Sequence, residues 1–254
     1  MRQHVHAEWT KLRTLAGTGW LLLALVTLTV TVSVAAAAVV SCTSAGCGYD
    51  PARISLFGIQ AGQAVVAILA VLAISGEFST GMIRTTLAAM PGRISVLAAK
   101  AVILTGLTLA AGSVAVLASA LAGRRILLDN GFAPELPALT SGPMLRAAFG
   151  SVLYLALITL FSLGIATAVR DSATAISVVL GLLYLFPAII LVVPDADVAK
   201  LLWQISPMNA GLAIQATTHL SNLPLSPWAG LGVLAAWATA ALLGGGLLLR
   251  ARDV

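Results

Sequence analysis

A few side chains in this sequence have types and spacings that could support chemistry. Cys42 and Cys47 are the only cysteines, with four residues between them. On an oxidising face of a membrane they are candidates for a disulfide; otherwise they are two small loop residues, and spacing alone does not establish bridge geometry. A cysteine metal site would need more ligands than this loop offers. His4 and His6 have no carboxylate or thiol cluster beside them and read as interfacial residues, not ligands. Gln60 and Gln63 are the most polar side chains within a long apolar run. They could line a substrate path, although hydrogen bonding between helices is the commoner use of glutamine there.

The chemistry that is missing narrows the function. The lysines are Lys11, Lys100 and Lys200, and none follows a glycine, so no phosphate-binding loop of the Gly-x-x-x-x-Gly-Lys type exists. There is no His-Glu-x-x-His, no Gly-x-Ser-x-Gly and no dense His/Cys/Asp/Glu cluster. The expectation is a chain with no catalytic residues, no metal and no cofactor of its own.

The elements that would carry these side chains follow from composition. Of 254 residues, 59% are hydrophobic and only 9% charged, against about 45–50% and about 25% in soluble domains. So little charge cannot cover a water-facing surface. The net charge of +5 sits singly or in pairs at the ends of apolar runs, without the basic stripe of a nucleic-acid binder. Charge-free stretches predict six transmembrane helices at about 15–40, 55–75, 101–123, 147–169, 173–193 and 228–249. Each reaches the roughly 20 residues needed to cross the hydrocarbon, and a helix alone satisfies its backbone within one segment. The first run is longer than the 7–15 residues of a signal-peptide core and reads as a span. The spans read as free of ionisable groups at depth, which argues against proton-coupled carriers and intramembrane hydrolases.

An even number of spans places both termini on one side. If that side is the cytoplasm, nine Lys/Arg lie inside (Arg2, Lys11, Arg13, Arg84, Arg93, Lys100, Arg170, Arg250, Arg252) and five outside (Arg53, Arg124, Arg125, Arg146, Lys200). The positive-inside rule favours this orientation, with Arg124 and Arg125 in dissent. Both cysteines then fall in the first outside loop. Residues 1–14 read as an amphipathic interfacial helix, with Val5, Trp9 and Leu12 on its apolar face. Residues 195–226 are irregular. Pro207 argues for short re-entrant or extracellular helices before the last span, with a seventh span as the alternative topology. Gly58-Ile-Gln-Ala-Gly62 permits close helix approach, within the protomer or at a dimer seam.

Between spans two and three, Ser79 or Thr80 could cap a helix start, with Met82, Ile83 and Leu87 on its apolar side and Pro91-Gly92 as its stop. Glu77 stands at its approach and Arg84 on its exposed side. Here the chain resembles the permease subunits of ABC-2-type transporters, particularly small actinobacterial-like ones. The resemblance rests on residues 8–14, Glu-Trp-Thr-Lys-Leu-Arg-Thr, on residues 76–87, Gly-Glu-Phe-Ser-Thr-Gly-Met-Ile-Arg-Thr-Thr-Leu, and on residues 206–210, Ser-Pro-Met-Asn-Ala. It covers essentially the whole chain as one domain.

The resemblance implies six spans, an N-terminal interfacial helix and a coupling helix formed by Glu77, Phe78, Ser79, Thr80, Gly81, Met82, Ile83, Arg84, Thr85 and Leu87. It implies two permease copies, as homo- or heterodimer, with two soluble P-loop subunits that bind ATP and Mg. It further implies export of a drug, antibiotic, lipid or peptide-like substrate across a bacterial cytoplasmic membrane. The other classes in view are a secondary transporter or channel, a membrane enzyme, and a non-transporting immunity or anchor protein.

Overall fold

Without water to bond the backbone, apolar segments in lipid must be helical, and the chain follows that rule. The computed structural model describes residues 16–42, 48–82, 92–132 and 138–251. In chain order they form α1 (Ala16–Val39), α2 (Pro51–Ser55), α3 (Ile59–Ser79), α4 (Arg93–Asp129), α5 (Gly142–Val169) and α6 (Ser172–Val192). Then come α7 (Ala196–Ile205), α8 (Pro207–Leu212), 3-10 turns at Ala213–Gln215 and Leu220–Asn222, and α9 (Pro227–Ala251). No strand occurs among the described residues. Six helices, α1, α3, α4, α5, α6 and α9, are long and apolar enough to cross a membrane. The protein is therefore an all-α, multi-pass membrane protein. The proposed interfacial helix, with Val5, Trp9 and Leu12, lies outside the described residues.

Helix ends depart from the charge-free stretches in several places, two of which matter here. The second stretch breaks at its start, where Asp50 caps the short α2 and the chain turns through Leu56–Gly58 before α3 begins. The third grows. At 37 residues, α4 is about 55 Å long, well beyond the about 30 Å of hydrocarbon. Its extension carries Arg124 and Arg125, because a helix continues past the apolar layer as long as its backbone bonds are met. No seventh span forms in residues 195–226. Pro207 takes the first position of α8, where its missing N–H costs nothing, and Ser206 caps that helix by accepting from the Asn209 N–H at 3.2 Å.

Helix α5 is the hub, packed against α3, α4, α6, α8 and α9. Small residues let it approach: a side chain at Gly164 would overlap the backbone of Ala241 and Leu242 in α9, and one at Gly150 would overlap Ile214. Gly58 and Gly62 meet Thr29 of α1, so their motif serves a crossing within the protomer. The outer helices α1 and α6 bury little and show large apolar side chains such as Trp20, Leu185 and Leu191. α8 and the turn after it are buried against α5 and α9, whereas α7 buries none of its residues.

Candidate functional site

Two buried polar clusters stand out in this apolar body. The first gathers around Gln63 and is built from α3, α5 and α8. Gln63 and Tyr154 are both fully buried. The Tyr154 hydroxyl donates to Gln63 Oε1, and Gln63 Nε2 donates to Met208 Sδ at 3.2 Å. Nearby, the Tyr184 hydroxyl of α6 donates to the Gln60 backbone carbonyl. Gln215 Nε2 donates to Ser151 Oγ at 3.0 Å. In this conformation Gln63 is committed on both its amide atoms. It pins α8 to α3 and α5. Gln60, half-buried, contributes its backbone. Sequence reading missed both tyrosines. The available signal was that a tyrosine within an apolar run needs a partner for its hydroxyl, and two of the three tyrosines sit in spans.

The second cluster lies at the other end of α3. Glu77 and Lys100 form an ion pair at 3.1 Å and are 4% and 1% exposed. This corrects the placement of both charges in the connection between spans: Lys100 lies seven residues inside α4, and Glu77 belongs to α3. Burying two charges is costly unless they are paired, and here each supplies the other's counter-charge. Above them, the Arg170 guanidinium sits 5.3 Å from the centre of the Phe78 ring, in cation–π range. The Ser172 hydroxyl donates to Ser75 Oγ at 2.8 Å. Three helix junctions are thus drawn together: the end of α3, the start of α4 and the corner between α5 and α6.

That corner is sharply made. Arg170 takes a left-handed conformation with φ 66° that ends α5, and Asp171 caps α6 by accepting from the Thr174 N–H at 2.8 Å. Hydrogen bonds from Thr174, the backbone N–H foremost, hold the exposed Asp171 carboxyl below its ordinary value of 3.8.

Ser79 is the last residue of α3 and Thr80 follows as its C-cap. Their hydroxyls donate back to the Gly76 carbonyl at 3.1 and 2.7 Å and close α3. Gly81 follows with φ 70°, the left-handed position where glycine stops a helix without strain. Phe78 is half-buried and Met82 exposed. Ile83, Arg84, Thr85 and Leu87 lie outside the described residues.

At the opposite end, Asp50 ties two segments together. Its carboxylate accepts from Ala52 and Arg53 N–H of α2, from Thr217 N–H and hydroxyl, and from Thr218 N–H. Asn130, just past α4, donates to the carbonyls of Ala37 and Val40 and accepts from the Cys42 N–H at 2.9 Å. Cys42 is disulfide-bonded; Cys47, the only other cysteine of the chain, lies outside the described residues. Among the described residues, no three His, Cys, Asp or Glu side chains are grouped as metal ligands. The chain matches no protein-family model and no curated protein, so its function rests on its own residues and geometry.

Proposed function

We propose that this chain is the permease subunit of an ATP-driven ABC exporter. Two permease copies, identical or not, pair with two soluble P-loop subunits that hold ATP and Mg. Both termini and the segment after α3 face the cytoplasm of a bacterial cell, and residues 1–14 lie along the inner interface. The helices α7 and α8 occupy the outer leaflet. ATP-driven closure of the soluble subunits pushes on residues 77–87, and the push opens a path between permeases for a drug, antibiotic, lipid or peptide-like substrate.

The observation that carries this reading is the root of that segment. Glu77 is ion-paired to Lys100, and Arg170 lies over Phe78. A load applied between α3 and α4 is therefore shared by α3, α4 and the α5–α6 corner instead of bending one helix end. Packed interfaces of this kind shift as units and are not continuously deformable. The resemblance of residues 76–87 to ABC-2 permeases supports the same assignment.

The test is co-expression with a P-loop ATPase encoded beside this gene, followed by purification and ATP hydrolysis assays. The expected outcome is a complex stable in detergent. Arg84→Glu should lower transport-coupled hydrolysis while insertion is unchanged. Replacing Gly81 is a poorer probe, since a side chain there also strains the end of α3. Unaltered coupled hydrolysis in Arg84→Glu would sink the coupling role.

One observation favours a second reading. A buried ion pair in spanning helices is also what a proton-coupled carrier would use. Collapsing the proton gradient while ATP is supplied separates the two: transport persists under the first reading and is abolished under the second.

A further inference from the structure

Helices α4 and α9 part near the end where α4 begins and α9 finishes, leaving a groove of about 490 Å³, within the about 300–1,000 Å³ of ordinary ligand clefts. Its walls repeat at helical spacing: Ile94, Leu97, Ala98, Ala101 and Val102 on one side, then Leu242, Leu243, Gly246, Leu247 and Arg250 on the other. Small residues make the room, because Gly246 and the two alanines stand where larger side chains would fill the space. Nine residues of helix on each wall, eight rises, give a length of about 12 Å, close to the about 15 Å of one hydrocarbon leaflet.

Polarity along the groove is one-sided. Nine of the ten described lining residues are apolar, and the charged one among them, Arg250, stands in the last turn of α9 at the groove's end. Among the described residues Arg250 has no acidic partner. An apolar trough one leaflet long with a cation at its mouth has the shape and polarity of an anionic phospholipid. The acyl chain replaces contacts that neighbouring helices do not make, and the phosphate meets a guanidinium at headgroup level, where arginine pairs well with phosphate oxygens.

We infer that the groove between α4 and α9 is a binding site for one anionic phospholipid, its chain along Leu97, Ala101, Leu243 and Leu247 and its phosphate on Arg250. The inference goes beyond the transport reading and does not depend on it. The lipid would act as a wedge that sets the distance between α4, which carries Lys100, and α9, which packs on the hub helix α5.

The experiment is native mass spectrometry of the delipidated full chain, titrated with phosphatidylglycerol and with phosphatidylcholine of identical chains. Parallel arms use inorganic phosphate and glycerophosphoglycerol, which has the headgroup without chains. The expected result is one anionic lipid held roughly fivefold more tightly than the zwitterionic one, the scale of one basic residue at an anionic surface. Arg250→Gln should bring the two lipids level, and Arg125→Gln, the same charge change on an exposed part of α4, should leave the preference intact. Ala98→Phe, which fills the groove and keeps Arg250, should weaken both lipids, with retained thermal unfolding showing that the chain is folded. Equal lipid affinities in the unaltered chain would overturn the proposal, as would a preference that survives Arg250→Gln. So would tight binding of the chainless anions. A dimer that dissociates on Ala98→Phe would assign the groove to a second copy instead.

Discussion

About 21 Å of helix separates Gln63 from Glu77 along α3, and the two positions solve the same problem with different chemistry. Near the end of α3, Glu77 and Lys100 carry opposite full charges, with Arg170 over Phe78 beside them. Near its start, Gln63, Tyr154 and Met208 join α3, α5 and α8 with no formal charge. Both clusters are buried and both cross-link helices. The charged pair stands two residues from the end of α3 and the neutral donors and acceptors four residues from its start, so each cluster ties one end of the same helix to its neighbours. The charged cluster ties helix ends beside the segment proposed to receive force. The neutral one holds a short helix against the hub.

The largest expected effect comes from breaking the charged pair on one side only. Lys100→Met removes the Lys100 charge from beside the buried Glu77 and should destabilise the protein by about 3–5 kcal/mol, read as thermal unfolding in detergent. Glu77→Leu/Lys100→Met should recover most of that loss. A double variant no better than the single would mean that packing, not charge, sets the cost.

The neutral cluster should respond less. A Cβ at Gly211 would fall 2.6 Å from the Tyr154 ring, so Gly211→Val forces α8 away from α5. The cost is about 1–3 kcal/mol, the range of overpacked cores. Loss of protection of residues 207–215 in hydrogen exchange, with residues 72–79 unaffected, is the expected pattern. Opening at both ends together would merge the two clusters into one unit. Smaller still is Tyr154→Phe, which removes only the hydroxyl on Gln63. Hydrogen bonds between membrane helices average about 0.6 kcal/mol, and an unfolding shift above about 2 kcal/mol would show that the cluster is strongly cooperative.

The smallest effect is the pH response of the α5–α6 corner. The Asp171 carboxyl is held low by Thr174, so its stabilising cap is present above the ordinary value of 3.8 and is lost as pH falls through its lower, folded value. Asp171→Asn should flatten acid sensitivity in that window while leaving behaviour near pH 7 unchanged. Equal acid sensitivity in both proteins would remove Asp171 from the account.

The two clusters also differ in how far they could be read before the structure. Gln63 was visible as a polar residue in an apolar run, and hydrogen bonding between helices was its favoured use. Its partners were not visible, because Tyr154 and Met208 lie 91 and 145 residues away. Glu77 and Lys100 were visible as charges but were assigned to flanking positions. Both stand near the ends of apolar runs, where a flanking charge and a buried partner have the same local sequence. Ser79, Thr80 and Gly81 carried a helix-boundary signal that was legible in the sequence, and the hydroxyls of the first two close α3 on the Gly76 carbonyl.

The number of membrane helices, their approximate places and the short length of the segment around Pro207 follow from sequence alone. Hydrophobic run length and proline act locally, and lipid leaves an apolar chain few alternatives to helix. Tertiary structure decided which charges are inside, that Gly58 and Gly62 serve α1, that α5 is the hub, and that α4 and α9 part to leave a groove. Those outcomes depend on side chains distant in sequence meeting at one place, and no local pattern encodes which neighbour a buried group will find.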